Sequence, residues 1–453
     1  MVASGAGSET LVAFMDTKSQ TLYCWIDWTV SCNLPFSFPE NATVRKYSSL
    51  PDICTETLIK YLGLLTTEVE QIVSSVLPAK FGVIFDGWTF HSEHYIAVFA
   101  TFEHDGHAET VLLAMAPLVD DEVEDHSAEA HVTFLRSILG IFNRTTDDLL
   151  FVTGDNCSTN GRVAALLGRP LVGCSSHRLH LAVKSYLSDY ETLLGKVNTL
   201  MCKLRCLNAA AKLRKQTPLR PVLRNATRWS STFAMIVRFF ELKDFICTED
   251  DKIAALMPSR CEENKLQALL EDLKDFESTS LKLQSADGVS LLDVRDLFDA
   301  LIEQYPTLSD YLAADAAIVH DEEFESACVS VLLGESDRLS ARQRVLLRPF
   351  ETRTASSQET ATVTKIGFAE KALKKRKEER QGRVEYPLLP YIPPTSNCVE
   401  RFFSQAKHLL SHHRTRMLPI HLDMLLFLKA NRRFWTAKTV CDVVNLRTTL
   451  THR

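Results

Sequence analysis

The chain is 453 residues long, 45% hydrophobic and 24% charged, with a formal net charge of −6. That length allows two or three domains with ample core, and the composition is ordinary for a soluble globular protein. The net charge argues against a wholly basic nucleic-acid coat, so any phosphate contact must come from local clusters of Lys and Arg.

No apolar run approaches the roughly 18 residues of a bilayer span, so no membrane partner is expected. The N-terminus lacks the basic-then-apolar layout of a secretory signal, which makes an intracellular location the default. The twelve cysteines follow no repeating framework and read as free thiols packed as small hydrophobes.

In chain order, residues 1–10 are small and polar, and 11–80 read as helices with loops. Thr55 to Leu77 carries apolar residues near a 3.6 period, including Leu58, Leu62, Leu65, Val69 and Val76. The texture changes at Phe81. Phe81–Asp86, His94–Phe102 and Thr110–Leu118 are β-rich runs with hairpin-sized gaps. A helix is predicted over Ala128–Phe142, a compact strand at Leu149–Thr153, a helix at Ser158–Leu167 and a short strand at Pro170–Gly173. The resulting order is mixed α/β and not a strict βαβ repeat.

From about 178 to 350 helical periodicity dominates, over Leu179–Leu207, Thr232–Cys247, Asn264–Phe276 and Val289–Leu312. Residues 351–363 read as a Thr/Ser-rich linker. Lys371–Arg383 is dense in charge and includes Lys374–Lys377, a short basic run that suits a nuclear-localisation signal, a DNA-backbone contact or a solvated helix face. Prolines 387, 390, 393 and 394 form an extended lead-in to helices at Asn397–His412 and Pro419–Arg433.

Three acids stand in contexts suited to chemistry. Asp86 and Asp155 each follow an apolar run, the first at a predicted Gly turn, and Glu400 opens an amphipathic helix. Neighbouring strands would bring the two Asp together, and a shared Mg²⁺ or Mn²⁺ would relieve their repulsion. The plainer alternative is that each caps a turn or helix.

Cys174-Ser-Ser-His177 has metal-like composition but lacks the second ligand pair of a structural zinc site, which points to a helix start. Arg228 and Trp229 could meet a phosphate and an unpaired base, or else anchor helix packing. Arg401, Lys407, His408, His412, His413, Arg414 and Arg416 put cations beside Glu400, as a phosphodiester substrate needs. Phe402, Phe403, Leu409 and Leu410 on the other face suit either a core or a dimer interface.

These residues occur in a recognisable order. Phe85-Asp-Gly-Trp-Thr89, Thr153-Gly-Asp-Asn-Cys-Ser-Thr-Asn160, Cys174-Ser-Ser-His177, Thr227-Arg-Trp-Ser230 and Asn397-Cys-Val-Glu-Arg-Phe-Phe-Ser404 together resemble the motifs of hAT-superfamily transposases across nearly the whole chain. The resemblance implies an α/β fold: an RNase H-like mixed-sheet core interrupted by a large all-α insertion domain, with C-terminal dimerisation helices. The divisions expected are 1–79 N-terminal helical region, 80–180 first part of the core, 181–384 insertion and linker, and 385–453 core completion and dimerisation region.

By the same resemblance Asp86, Asp155 and Glu400 would be the catalytic, metal-binding acids, holding Mg²⁺ or Mn²⁺ for DNA cleavage and strand transfer. Arg228, Trp229, Cys174, His177, Arg401 and Lys407 would contact DNA, with Trp229 on a flipped base. The protein expected is nuclear, DNA-binding and a homodimer or higher homo-oligomer. The alternative is a domesticated, non-catalytic protein that binds DNA or a protein partner as a dimer.

Three departures bear on this. The first histidine is His91, so no BED zinc finger lies in residues 1–80 and none is expected. Val399 stands where the family often has a small residue. The acids Glu249, Asp250, Asp251, Glu262, Glu263, Glu271 and Asp272 are expected to make the insertion a poor DNA surface.

Overall fold

A computed structural model describes residues 15–118, 127–225, 228–285, 288–351, 386–410 and 417–450. Most of the expected linker, the run Lys374–Lys377, and His412, His413, Arg414 and Arg416 lie outside these residues. The chain divides into two compact units. One comprises 1–172, 336–392 and 396–453, and the other 173–335 with 393–395.

The first unit opens with α1 (Thr17–Ser31), capped by the Asp16 carboxylate accepting from the Ser19 N–H, then α2 (Ala42–Tyr47) and α3 (Thr55–Val76). The 3.6 period of α3 puts Leu58, Leu62, Leu65, Val69 and Val73 on one buried face. A meander follows: β1 (Phe81–Phe90), β2 (Glu93–His104) and β3 (His107–Pro117). The β2–β3 turn is Asp105-Gly106, both at positive φ, which suits a tight hairpin. Then come α4 (Ala128–Ile141), β4 (Leu149–Gly154), α5 (Ser158–Leu167) and β5 (Leu171–Gly173).

The five strands form one mixed sheet in the order β3-β2-β1-β4-β5. β2 runs antiparallel to β1 and β3, and β4 runs parallel to β1. A parallel central pair needs cover on both faces, and β4 is buried along its whole length. Gly82 of β1 is required here, since a Cβ would collide with the Phe151 ring of β4.

One strand boundary differs from expectation. β1 does not stop at Asp86 but pairs on through Phe90, opposite Glu93. Gly87 is not a turn residue; it leaves room for the His94 ring, whose Nε2 would lie 2.8 Å from a Cβ there. With that ring accommodated, Trp88 packs beside Tyr95 (centroids 6.0 Å apart) and the hairpin continues.

The second unit is helical: α6 (Ser175–Tyr186), α7 (Glu191–Leu204), α8 (Leu207–Arg214), α9 (Trp229–Leu242), α10 (Arg260–Leu283), α11 (Leu291–Gln304) and α12 (Glu322–Leu332). Its own core includes Leu194, Leu200, Phe239, Leu269, Phe276 and Phe298. The single helix expected over Leu179–Leu207 is broken by a 3-10 turn at Leu187–Tyr190. The one expected to run to Leu312 stops at Gln304, because Pro306 forces Tyr305 out of the helical region.

The chain then rejoins the first unit with α13 (Ala341–Leu347), α14 (Asn397–Leu409), α15 (Pro419–Ala430) and α16 (Ala437–Leu450). Phe402, Phe403 and Leu409 are buried in this unit's core, Phe402 edge-on to Phe99 of β2. Those side chains therefore serve the monomer's packing. No described helix is long and apolar enough to cross a membrane.

α15 lies on β3, and Asp423 accepts the Met115 N–H at 2.7 Å. Burial drives the Asp423 carboxyl up to about 7; the Met115 N–H opposes this and the Glu70 carboxylate adds to it. The folded state thus holds a proton that the unfolded chain releases near pH 4. This stabilisation is present below pH 4 and is lost as pH rises toward 7. Asp423→Asn keeps the acceptor without the charge. It should flatten the pH dependence of denaturant-induced unfolding and stabilise the protein above pH 7, the wild type losing on the order of 2–4 kcal/mol across that window.

Candidate functional site

The first two acids are brought together by the central strand pair. β1 and β4 align Ile84 with Thr153, so Asp86 and Asp155 each stand two residues beyond an aligned pair, on strands about 4.8 Å apart. The approach is close. A Cβ on Gly154 would lie 3.1 Å from the Phe85 carbonyl oxygen and 3.0 Å from the Asn160 Nδ2. Glycine is what lets β4 reach the Asp86 end of β1 without pushing it away.

The N-cap of α5 is Cys157 and not Asp155, and Asp86 lies within β1 and caps no helix. Asp86 is half-buried, with its Oδ1 accepting the Gly87 N–H at 2.8 Å. Asp155 stands two residues before the α5 cap, where the Cys157 sulfur accepts the Asn160 N–H. The Asp155 carbonyl takes the Cys157 N–H and the Asn160 Nδ2, both at 2.9 Å, which fixes the strand-to-helix turn and holds Asp155 at its corner.

Glu400 sits in the first turn of α14, where the helix dipole favours an acid. The helix packs on β1: Trp88, on the same strand face as Asp86, stacks on Phe403 with centroids 5.6 Å apart. Cys398 reports the same proximity. Burial pushes its thiol up to about 11, Arg401 opposes this, and the Asp86 carboxylate adds to it. Asp86 and the first turn of α14 are therefore neighbours. Glu400, Arg401 and Lys407 are all exposed on α14.

Carboxylate oxygens are hard donors of the kind Mg²⁺ and Mn²⁺ prefer, so the donor set fits such an ion. The side chains are less gathered than the backbone. Among the described residues no group of three or more His, Cys, Asp or Glu is drawn together closely enough to hold a metal.

The other candidates lie in the helical unit. Cys174 is fully buried at the start of α6, next to Ser175, whose N–H donates to the Pro394 carbonyl. His177 is half-buried in the first turn of that helix. Arg228 is exposed at the N-cap of α9, whereas Trp229 is only 7% exposed and belongs to the unit's core. Its ring also lines a cleft of about 270 Å³ with Lys184, Glu191, Arg224 and Asn225.

Three residues matter here that motif reading passed over. His94 packs across Gly87 with its Nδ1 2.9 Å from the Thr89 hydroxyl. Asn160, quoted as the end of the Thr153–Asn160 motif but given no role there, secures the Asp155 corner. Arg178, beside His177, is 3% exposed. It meets Glu325 of α12 at 3.5 Å and donates to the Tyr311 and Ala313 carbonyls at 3.0 and 2.8 Å.

Burial pulls the Arg178 guanidinium down and pushes the Glu325 carboxyl up, so both charges are strained against their surroundings and depend on each other. Removing the cation should be the worse lesion. Arg178→Met is expected to cost about 3–5 kcal/mol in denaturant unfolding. Glu325→Gln, which still accepts from Arg178 and the Gly173 N–H, should cost about 1 kcal/mol.

No protein-family model matches the chain and no curated protein matches it, so the resemblance to hAT transposases rests on the chain's own motifs.

Proposed function

We propose that this chain is a hAT transposase-derived nuclear protein that binds DNA, with an RNase H-like core retaining the residues for metal-dependent DNA cleavage and strand transfer. The observation that carries this reading is the β1–β4 register, which sets Asp86 and Asp155 each two residues past the Ile84–Thr153 pair, with α14, whose first turn bears Glu400, packed on β1 through Phe403 and Trp88. The helical unit that interrupts the sheet-bearing unit supports the reading of a core with an inserted domain.

Asp86, Asp155 and Glu400 would hold the ion, and Arg401 and Lys407 would draw the phosphodiester backbone toward it. A bound Mg²⁺ or Mn²⁺ would supply charge stabilisation at the phosphate and activate the attacking oxygen. Arg228 is exposed and suited to a phosphate contact. Trp229, nearly covered by its own core, suits base stacking only if the N-terminal end of α9 shifts to uncover it.

Purified protein with Mn²⁺ should nick supercoiled plasmid, and Asp155→Asn should lower the rate roughly a hundredfold or more. A rate unaffected by that substitution would remove the catalytic role.

A second reading rests on the exposed cations alone. Arg228, Arg401 and Lys407 would equally serve a domesticated, non-catalytic protein that binds DNA or a protein partner. Binding without any acid-dependent cutting in the same assay selects it.

Self-association through the C-terminal helices belongs to both readings. With Phe402, Phe403 and Leu409 buried, the exposed apolar residues at the start of α15 are Leu418 and Ile420, 58% and 66% exposed. Leu418→Ser with Ile420→Ser should convert a dimer to a monomer in light scattering, whereas an unchanged mass would place the contact elsewhere.

A further inference from the structure

The charges of the helical unit are sorted along the chain. Between Glu191 and Glu241 there are ten Lys and Arg residues and no Asp or Glu. Four of the ten are paired: Lys196 with Glu262, Lys212 with Glu249, Arg224 with Glu191 and Arg238 with Glu241. The other six, Lys203, Arg205, Arg214, Lys215, Arg220 and Arg228, are all exposed. None of these six has an ion-pair partner among the described residues.

The acids expected to spoil this unit as a DNA surface are largely engaged within it. Glu249 and Glu262 neutralise cations already named, Glu263 pairs with Lys243, Glu271 with Lys274, and Asp272 accepts the Tyr186 hydroxyl. What remains is a net positive face on α7, α8 and the segment that follows them.

That face has shape as well as charge. Arg205, Arg214 and Arg220 line a cleft of about 440 Å³ whose floor is apolar, built from Leu213, Leu219 and Pro221 with their neighbours. Guanidinium forks match phosphate oxygens two at a time, and their planes stack on bases. An apolar floor between them accepts the flat face of a nucleobase. An acidic peptide would use the charges but has no need of such a floor.

We propose that Lys203, Arg205, Arg214, Lys215 and Arg220 form a nucleic-acid-binding surface that grips the phosphate backbone of a strand and seats a base in the Arg205–Arg214–Arg220 cleft. The inference rests on the DNA-binding part of the function proposed above and is independent of cleavage.

The test is fluorescence anisotropy of the full chain with a short labelled single strand of mixed sequence, across a KCl series. Against wild type, the triple variant Arg205→Gln, Arg214→Gln, Arg220→Gln should bind at least about tenfold more weakly at moderate salt. Its slope of log K against log salt should be shallower by about 2–3. The triple Lys variant keeps the charges, so it should keep the slope while losing part of the affinity. Unchanged thermal midpoints establish that both variants are folded.

Equal affinity and slope for the Gln variant would overturn the proposal, as would displacement by polyglutamate as effective as by unlabelled strand at equal charge. Running Asp155→Asn in parallel separates the two claims. If it binds with the full slope but does not cut, the surface stands whatever becomes of the catalytic reading. If the Gln variant cuts plasmid and binds as wild type does, this surface falls and the catalytic reading stands.

Discussion

The parallel pairing of β1 with β4 is the constraint on which the rest of the first unit depends. It joins the meander β1–β3 to a strand that arrives after α4, and it sets Asp86 beside Asp155. Two glycines make it feasible. Gly82 gives way to the Phe151 ring, and Gly154 allows the backbone to come up to the Phe85 carbonyl. A side chain at Gly82 would strike the Phe151 ring at the start of the pair, and one at Gly154 would crowd the Phe85 carbonyl at the end that carries the two acids.

Around that pair, buried polar groups mark the contacts between distant parts of the chain. Asp423 ties α15 to β3 through the Met115 N–H, and the Asn431 amide donates to the Leu112 carbonyl of the same strand. In the helical unit the Arg178–Glu325 pair links α6 to α12. Each of these groups would be costly to bury alone, so each specifies its partner more sharply than an apolar contact would.

Much of the architecture was legible in residue patterns. The 3.6 period of α3, the run Leu149–Gly154 and the switch to helices after 178 all reflect burial on one face or on two, which local sequence encodes directly. The boundaries that went astray depended on contacts remote from the boundary itself. Asp86-Gly87 reads as a turn until the His94 ring is seen to need the missing Cβ. Phe402 and Phe403 read equally as core or interface, since a hydrophobic face says only that something covers it. The sorting of charge in the helical unit was hidden because acids and cations near in sequence were averaged together, while the pairings that cancel four of the cations span 3 to 66 residues, the longest where helices cross, as Lys196–Glu262 does.

The sequence by itself determined the types of element, the acids at Asp86, Asp155 and Glu400, and the order in which the motifs occur, because propensity and periodicity are local. Tertiary structure alone decided that β4 lies beside β1, that α14 returns to stack Phe403 on Trp88, and that Trp229 turns into its own core. It also decided which six cations between 191 and 241 stand exposed without an acid partner among the described residues. Those outcomes depend on which surfaces meet between segments far apart in sequence, and no local pattern carries that information.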